Sequence, residues 1–313
     1  MPGIFDSLRL IDHQALADRV SMEQAVRALQ SAVREGFDPD DDPPRAIVDV
    51  RHGQLLLMPA DLGGHAGQKF ATVAPGNPAR GLERIQAIYV LLDAETLTPL
   101  ALIDGTELTS IRTPAVSAAV ADVVATPEAS TLVVFGTGPQ GIRHVEAMRA
   151  IRDIRRVRFV GRDAAKSQRA VEQASAADID VAVGSEADVA SADIIVCATT
   201  AQTPLFEPDL VADRATVIAI GSHDADRREL AGELLARSQV IVETERVART
   251  EAGDVIMAIE EGLLSPDALV PMARIVTGAA ATATDRPRVF KTCGMGWQDL
   301  AVARLAIDGP EAA

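Results

Sequence analysis

A glycine-rich turn near the middle of the chain constrains its fold more than any other feature. The apolar segment TLVVF precedes the turn, and the helical pattern IRHVEAM follows it. The turn has the spacing G-x-G-x-x-G and consists of Gly136, Thr137, Gly138, Pro139, Gln140 and Gly141. Such glycines permit a tight turn, a close approach of the backbone to a pyrophosphate and close packing of helix on strand, and the helix supplies N–H donors at its amino end. The turn therefore predicts a dinucleotide site.

Short apolar strands continue on the carboxyl side of this turn. They are rich in Val and Ile, and helical patterns separate several of them: TLVVFG, RVRFVG, IDVAVG, DIIVCAT, TVIAIG and QVIVET. Alternation of buried strands with helices predicts an α/β fold with a Rossmann-type, doubly wound parallel sheet. We assign this domain to residues 114–302. Its first helix is PAVSAAVADVVA, with Thr113 as the N-cap and Pro114 as the first helical residue.

Residues 1–113 predict a second, smaller α+β domain. Ser21 and Gln24 form a capping-box pattern at the start of an amphipathic helix. Strand-like segments without interleaved helices follow, beginning with a hairpin turn at 51–53, and such a run predicts an antiparallel or mixed sheet. The tail VFKTCGMGWQDLAVARLAID predicts a strand or loop, a turn and a closing helix. We expect residues 303–313 to join the smaller domain.

Composition narrows the functional classes. The 313 residues carry a net charge of −15, which disfavours a nucleic-acid surface because phosphate binding needs clustered Lys and Arg. Cys197 and Cys293 form no CxxC pair and the five histidines form no HExxH or HxH pair, so no metal site is predicted. No signal-peptide pattern opens the sequence, and no segment approaches the ~20 apolar residues of a membrane span. We expect a cytoplasmic protein without a membrane partner.

The end of the second strand after the glycine-rich turn bears on the choice of nucleotide. Gly161, Arg162 and Asp163 lie about 20 residues beyond the turn, where an acidic residue holds the ribose of NAD and an arginine accepts the 2′-phosphate of NADP. Arg162 favours NADP(H). NAD(H) stays an alternative, because Asp163 can reach the ribose if Arg162 is only a solvated residue at the helix start.

Segments over nearly the whole chain resemble the ornithine cyclodeaminase/mu-crystallin family. They are PPRAIVD, LLLMPA, QKFATVAPGNP, LLDAETLTPLALIDGTELTSIRTPAVSAAVA, GTGPQG, IGSHDADRREL and GMGWQDLAVA. The resemblance implies a Rossmann domain and a substrate domain that also forms a homodimer. It further implies an oxidoreductase that passes hydride between a nicotinamide and the α-carbon of a small-molecule amino acid or its imine.

The resemblance also implies roles for individual residues in the smaller domain. Arg45 and Arg112 are expected to hold the substrate carboxylate, Lys69 to act at the reacting nitrogen, and Met58 to line an apolar wall. An α-carboxylate needs a charge-assisted, preferably bidentate partner, which arginine supplies well. A lysine can donate a proton to an imine if burial and nearby arginines lower its pKa.

Further residues are expected at the nucleotide: Thr199 and Thr200 because they end the fourth strand of the Rossmann domain, and Arg84, Gly221, Ser222 and Asp299 because of the resemblance. Asp299 has an alternative role as the N-cap of the final helix, which we favour. Two positions depart from the ornithine cyclodeaminase pattern. His223 replaces an aspartate that handles the substrate amine, and Leu56 replaces a glutamate that meets the ornithine side chain. Losing both carboxylates disfavours a diamino acid. His223 either transfers a proton or lies at the edge of the nucleotide without doing so.

Together with these residues, the resemblance implies an NAD(P)H-dependent reductase of an α-imino acid, such as the cyclic ketimine 1-pyrroline-2-carboxylate. Lys69 and His223 are the predicted catalytic residues. One alternative is an ornithine cyclodeaminase that converts L-ornithine to L-proline and ammonia. A second is an amino-acid dehydrogenase of the alanine type, and a third is a non-catalytic NADPH-binding protein of the crystallin type.

Overall fold

Two sheets organise the chain, one in each of two units. The computed structural model describes residues 3–308, and we call residues 3–113 with 294–308 unit 1 and Pro114–Cys293 unit 2. The chain thus returns to unit 1 at Gly294, earlier than the predicted 303, because the last helices pack on the strands of unit 1. Residues 309–313 of the predicted 303–313 lie outside the described residues.

The helices and strands are numbered in chain order. The strands are β1 (Arg9–Ile11), β2 (Ala46–Val50), β3 (Gly53–Leu62), β4 (His65–Val73), β5 (Ile85–Asp93), β6 (Pro99–Asp104), β7 (Thr131–Phe135), β8 (Arg156–Val160), β9 (Asp180–Val183), β10 (Ile194–Cys197), β11 (Thr216–Ala219), β12 (Gln239–Val242), β13 (Val270–Pro271) and β14 (Arg288–Lys291). The helices are α1 (His13–Arg19), α2 (Met22–Arg34), α3 (Gly105–Val124), α4 (Pro139–Arg149), α5 (Ala164–Ala174), α6 (Gly232–Ala236), α7 (Glu245–Glu251), α8 (Gly253–Glu260), α9 (Met272–Val276), α10 (Gly296–Ala303) and α11 (Leu305–Asp308).

Unit 1 contains a mixed sheet in the order β1-β6-β5-β4-β3-β2, as the sequence predicts. β1 is parallel to β6, and the other neighbours are antiparallel. Val50 pairs with Gly53, which confirms the tight hairpin turn. The capping box is confirmed as well, since Ser21 Oγ accepts from the Gln24 N–H and Gln24 Oε1 accepts from the Ser21 N–H. α10 packs on α2, β3 and β4.

The predicted start of the first long helix is wrong. α3 begins at Gly105, and Pro114 lies inside it. The Asp104 carboxylate accepts hydrogen bonds from the Thr106 and Glu107 N–H groups, as an N-cap does, so Thr113 is not the cap. A proline inside a helix costs about 3 kcal/mol. Burial of the apolar side chains that follow Pro114 offsets this cost and keeps the helix continuous.

Unit 2 contains a parallel sheet in the order β13-β12-β14-β11-β10-β7-β8-β9, which confirms the predicted doubly wound fold. β10, β11, β12 and β14 are buried along their whole length. β14 belongs to the tail that predicted a strand or loop, and it lies between β11 and β12. The carboxyl ends of the strands therefore gather segments from distant parts of the sequence at one edge.

Residues 3–308 contain neither a membrane-spanning helix nor a cluster of metal-binding side chains. No helix there has both the length and the apolarity of a membrane span. No group of three or more His, Cys, Asp or Glu side chains there is placed to hold a metal ion.

Candidate active site

Lys69 lies in the middle of the unit 1 sheet, on the face that α10 covers. It pairs in register with Met58 on β3 and with Tyr89 on β5. Residues directly opposite each other on neighbouring strands point to the same face, so these three side chains are neighbours. Their exposed fractions are 3% for Met58, 2% for Lys69 and 0% for Tyr89. The sheet thus holds a lysine ammonium against apolar and aromatic surface, away from water.

Asp299 joins Lys69 to Arg112. Lys69 Nζ donates to Asp299 Oδ2 at 2.7 Å, and Arg112 Nε donates to Asp299 Oδ1 at 3.2 Å. Asp299 is completely buried. The N-cap of α10 is Met295, so the prediction that Asp299 caps this helix is wrong: its carboxylate is directed at the two cations instead. A contact between Asp299 and the nucleotide stays a prediction.

Gly294 lies against both predicted carboxylate-binding arginines. Its carbonyl accepts a hydrogen bond of 2.7 Å from Arg45 Nη2. Its φ of +82° favours glycine, and a Cβ there would collide with the Arg112 guanidinium. Gln298 Oε1 accepts from Arg112 Nη1 at 3.2 Å. Gly294 and Gln298 were not among the residues predicted from the sequence, although both belong to the GMGWQDL segment.

We call Arg45, Lys69, Arg112 and Asp299 the cationic cluster. Its three cations supply positive charge and N–H donors, which a substrate carboxylate could bind by charge-assisted hydrogen bonds. Burial lowers the pKa of Lys69 to about 8, Arg112 and Arg45 act in the same direction, and Asp299 opposes them. Lys69 is therefore an ammonium at neutral pH that releases its proton more readily than an ordinary lysine. Burial, Asp299 and Asp42 raise the pKa of Tyr89, whose phenol stays neutral.

The glycine-rich turn of unit 2 connects β7 to α4. Gly136 has φ +112°, and a Cβ there would collide with the Ala198 carbonyl. Gly138 is the N-cap of α4, no side chain fills the cap, and a Cβ on Gly138 would meet nothing within 4 Å. The first N–H groups of the helix thus face open space beside a glycine. This geometry fits a bound pyrophosphate, which needs backbone donors and close approach.

Glu229, which was not predicted from the sequence, holds the segments at Thr199 and Gly221, two of the predicted nucleotide contacts. Thr199 N–H and Thr199 Oγ1 both donate to Glu229 Oε1 at 2.7 Å, and Gly221 N–H donates to Glu229 Oε2 at 2.7 Å. Thr199 follows β10, and Gly221 lies just beyond β11. Asp254 Oδ1 accepts from the Glu229 N–H at 2.7 Å, and Asp254 Oδ2 lies 3.3 Å from Lys291 Nζ. The sequence contains a signal for Asp254 and Lys291, because each is a charged residue in or beside apolar residues, in the segments GDVIMAI and VFK.

The remaining predicted residues of unit 2 lie near the same edge of the sheet. Ser222 is buried, and its hydroxyl donates to the Arg227 carbonyl at 2.6 Å. Thr200 and His223 are exposed. Arg162 is also exposed, in the segment between β8 and α5. Their roles stay predictions.

Two more observations concern the predicted nucleotide contacts. Asp163 is the N-cap of α5, and its Oδ1 accepts from the Lys166 N–H at 3.0 Å. Arg84 belongs to unit 1 and is exposed in the segment before β5, where its carbonyl accepts from the Ala74 N–H. No contact of Arg84 with the cationic cluster is seen among the described residues, and its role stays a prediction.

Known proteins match the chain over almost its full length. The family model described as ornithine cyclodeaminase/mu-crystallin family matches residues 12–311. An alanine dehydrogenase of Archaeoglobus fulgidus is 26% identical, with 96% of this chain and 94% of the relative covered. A Delta(1)-pyrroline-2-carboxylate reductase of Burkholderia multivorans is 31% identical, with 97% and 93% covered. The solved structure of Thermococcus litoralis Delta(1)-pyrroline-2-carboxylate reductase in complex with NADH and L-proline has a TM-score of 0.90, 25% identity and coverage of 96% and 97%.

Proposed function

The chain belongs to the ornithine cyclodeaminase/mu-crystallin family, and we propose that it is an NAD(P)H-dependent reductase of an α-imino acid. The observation that carries the proposal is the cationic cluster. It combines two arginines beside Gly294 with a buried lysine whose pKa is lowered to about 8. The similarity to pyrroline-carboxylate reductases of Burkholderia multivorans and Thermococcus litoralis supports the same reaction class.

Arg45 and Arg112 bind the substrate carboxylate in this proposal. Arg45 donates to the Gly294 carbonyl, Arg112 donates to the Gln298 side chain and to Asp299, and these bonds orient the two guanidinium groups. Arginine forks match the planar geometry of a carboxylate, and burial strengthens the attraction by excluding water. Binding the carboxylate in this way orients the adjacent imine carbon and nitrogen.

Lys69 supplies the proton. A nicotinamide, when bound, would supply a hydride to the imine carbon, and the C=N bond would become a single bond. The imine nitrogen then needs one proton, and Lys69 Nζ, held by Asp299 Oδ2, is the donor. Asp299 keeps Lys69 protonated at neutral pH, and burial with the two arginines makes the proton easier to release. His223 stays a second predicted proton-transfer residue.

The substrate class follows from the surface beside Met58. Leu56 is two residues earlier on β3, on the same face of the sheet, and it pairs in register with Ile47 and Ala71. An apolar surface there disfavours a side-chain ammonium and suits the methylene groups of a cyclic imine. We therefore place 1-pyrroline-2-carboxylate and its six-membered homologue ahead of ornithine.

NADP(H) is the favoured nucleotide. A Cβ at Gly161 would lie 2.7 Å from both Ser167 Oγ and Thr137 Cγ2, so the end of β8 has no room for an acidic side chain. Asp163 already accepts a hydrogen bond at the start of α5. Arg162 is then the charged residue available to a 2′-phosphate.

Self-association through unit 1 is also part of the proposal. The sheet face opposite Lys69 exposes apolar side chains: Val48 (47%), Val50 (45%), Phe70 (38%) and Ile88 (54%). An uncovered apolar patch of this kind marks a contact surface, and a second copy would bury it. Phe70→Glu is expected to turn a dimer into a monomer in sedimentation velocity. A native protein that sediments as a monomer would contradict this part.

The test of the reaction follows NADPH and NADH absorbance with 1-pyrroline-2-carboxylate, 1-piperideine-2-carboxylate, pyruvate with amines, and ornithine. We expect nucleotide oxidation with the cyclic imines. Lys69→Met should lower kcat by about 100-fold or more, as for loss of a general acid, and leave the Kd for NADPH unchanged. Consumption of ornithine alone, with release of ammonia, would favour the cyclodeaminase. Tight NADPH binding without turnover of any imino acid would favour a binding protein.

A further inference from the structure

A buried ionic network in unit 2 has no part in the chemistry proposed above. Glu229, Asp254 and Lys291 have exposed fractions of 0%, 1% and 2%. Lys291 is the last residue of β14, Asp254 lies in α8, and Glu229 lies between β11 and α6. Three ionised groups are costly to bury, and apolar residues of similar volume often give equal or greater stability. Stability alone therefore does not account for the network.

The Glu229 carboxylate bonds to two neighbouring strand ends. Oε1 accepts both from the backbone and from the hydroxyl of Thr199, and Oε2 accepts from the backbone of Gly221, each at 2.7 Å. β10 and β11 are adjacent in the sheet, and β10 also borders β7, which leads into the glycine-rich turn. One side chain thus fixes the backbone just after both strands.

Asp254 and Lys291 hold Glu229 in turn. Asp254 Oδ1 accepts from the Glu229 N–H at 2.7 Å and from the Leu230 N–H at 2.8 Å. Its other oxygen lies 3.3 Å from Lys291 Nζ. The segment that carries Glu229 is otherwise irregular, so these bonds fix where its carboxylate lies.

We propose that Glu229 is a positioning residue for the nucleotide, which holds the segments after β10 and β11 in the arrangement that binds it. Ligands of doubly wound sheets bind at the carboxyl ends of the strands, where Thr199 and Gly221 lie. A segment that is already ordered spares the entropy cost of ordering on binding. The inference rests on the proposed function, because it requires that unit 2 binds a pyridine nucleotide.

The test compares Glu229→Gln with a matched control, Asp193→Asn. An amide retains one acceptor oxygen, so Glu229→Gln leaves either the Thr199 N–H or the Gly221 N–H without its acceptor. Asp193 joins strands of the same sheet at the opposite edge, where Oδ2 accepts from the Ser130 and Thr131 N–H groups at 3.0 and 3.1 Å. The control removes a carboxylate charge that contacts two backbone N–H groups away from the nucleotide edge, so it reports the general effect of losing such a charge in this sheet.

We expect Glu229→Gln to raise the Kd for NADPH, measured by fluorescence titration, by about tenfold or more, since small misplacements of binding groups have effects of that size. The KM for the imino acid should stay within about twofold of the native value, and Asp193→Asn should leave the Kd for NADPH within about twofold. Glu229→Asp keeps the charge but shortens the side chain, and it should weaken binding in the same direction if the amide variant does not fold.

Two results would overturn the inference. One is a folded Glu229 variant, by circular dichroism, that binds NADPH as tightly as the native protein. The other is an equal loss of affinity in Asp193→Asn, which would indicate a general effect of sheet stability. A native protein that binds neither NADPH nor NADH would instead refute the proposed function, and this inference with it.

Discussion

Replacing Asp299 with asparagine removes one charge from the cationic cluster with little change of shape. Lys69 and Arg112 then lose the carboxylate that both contact, at 2.7 and 3.2 Å. Lys69 can release its proton near neutral pH, since its pKa is already about 8. In the variant, the repulsion between Lys69 and the two arginines is relieved when Lys69 loses its proton. The substitution should therefore change the pH dependence of the reaction.

The size of the effect follows from the contacts. An opposite charge close to an ionisable group shifts its pKa by about 1–3 units, and Asp299 acts to raise the pKa of Lys69. A shift of about 2 units, from about 8 to about 6, lowers the protonated fraction at pH 7 from about nine tenths to about one tenth. Imine reduction at pH 7 should then be about tenfold slower, and acidification to about pH 5 should restore most of the loss.

The assay is kcat/KM for 1-pyrroline-2-carboxylate between pH 5 and 9 at saturating NADPH. Asp122→Asn is the control, because it removes a carboxylate that pairs with Arg152 at 3.0 Å, outside unit 1. The control should keep the native pH profile. A loss in Asp299→Asn that is equal at every pH would refute the reasoning, since it would show that Asp299 acts without changing the charge of Lys69.

Two further predictions concern unit 2. Burial lowers the pKa of His144 to about 4, although the Gln140 carbonyl accepts from its ring at 2.7 Å. Because this folded pKa lies below the usual 6.5, the unfolded chain binds the proton first, and stability falls as the pH drops from about 6.5 to about 4, by about 3 kcal/mol. His144→Asn should flatten that part of the pH dependence in urea unfolding, and an unchanged slope would contradict it. Arg162→Ser should lower the ratio of kcat/KM for NADPH over NADH by about 10- to 100-fold, the size expected for losing a hydrogen bond to a charged group. An unchanged ratio would exclude Arg162 from the 2′-phosphate site.

Local sequence patterns predicted the elements that depend on neighbouring residues. The glycine-rich turn, the capping box at Ser21 and the strand–helix alternation all rest on contacts a few residues apart. The start of α3 was predicted incorrectly, because Pro114 is typical of a first helical turn and its tolerance inside a helix depends on tertiary burial. The place of β14 between β11 and β12 also depends on long-range pairing.

In the candidate site, too, the features that the sequence pattern did not predict depend on long-range contacts. Lys69 and Asp299 are 230 positions apart, and Arg45 and Gly294 are 249 apart. No local pattern brings such residues together, so only the family resemblance singled out the cations. The N-cap prediction for Asp299 was wrong, because an acidic residue in the first turn of a helix is equally typical of an interaction with the helix dipole. Glu229 was passed over because its partners are backbone groups of two other strands.

The arginines that bind the carboxylate also adjust the lysine that donates the proton, so substrate binding should itself change the pKa of Lys69. In the free protein, Arg112 and Arg45 lower this pKa, after burial, to about 8. A bound carboxylate offsets their charge, and the pKa of Lys69 rises. The pH dependence of kcat/KM reports the form that has yet to bind the imino acid, whereas that of kcat reports the complex. The apparent pKa above which the rate falls should therefore be about 8 in the profile of kcat/KM and at least about one unit higher in the profile of kcat. The same apparent pKa in both profiles would show that Arg45 and Arg112 do not bind the substrate carboxylate next to Lys69.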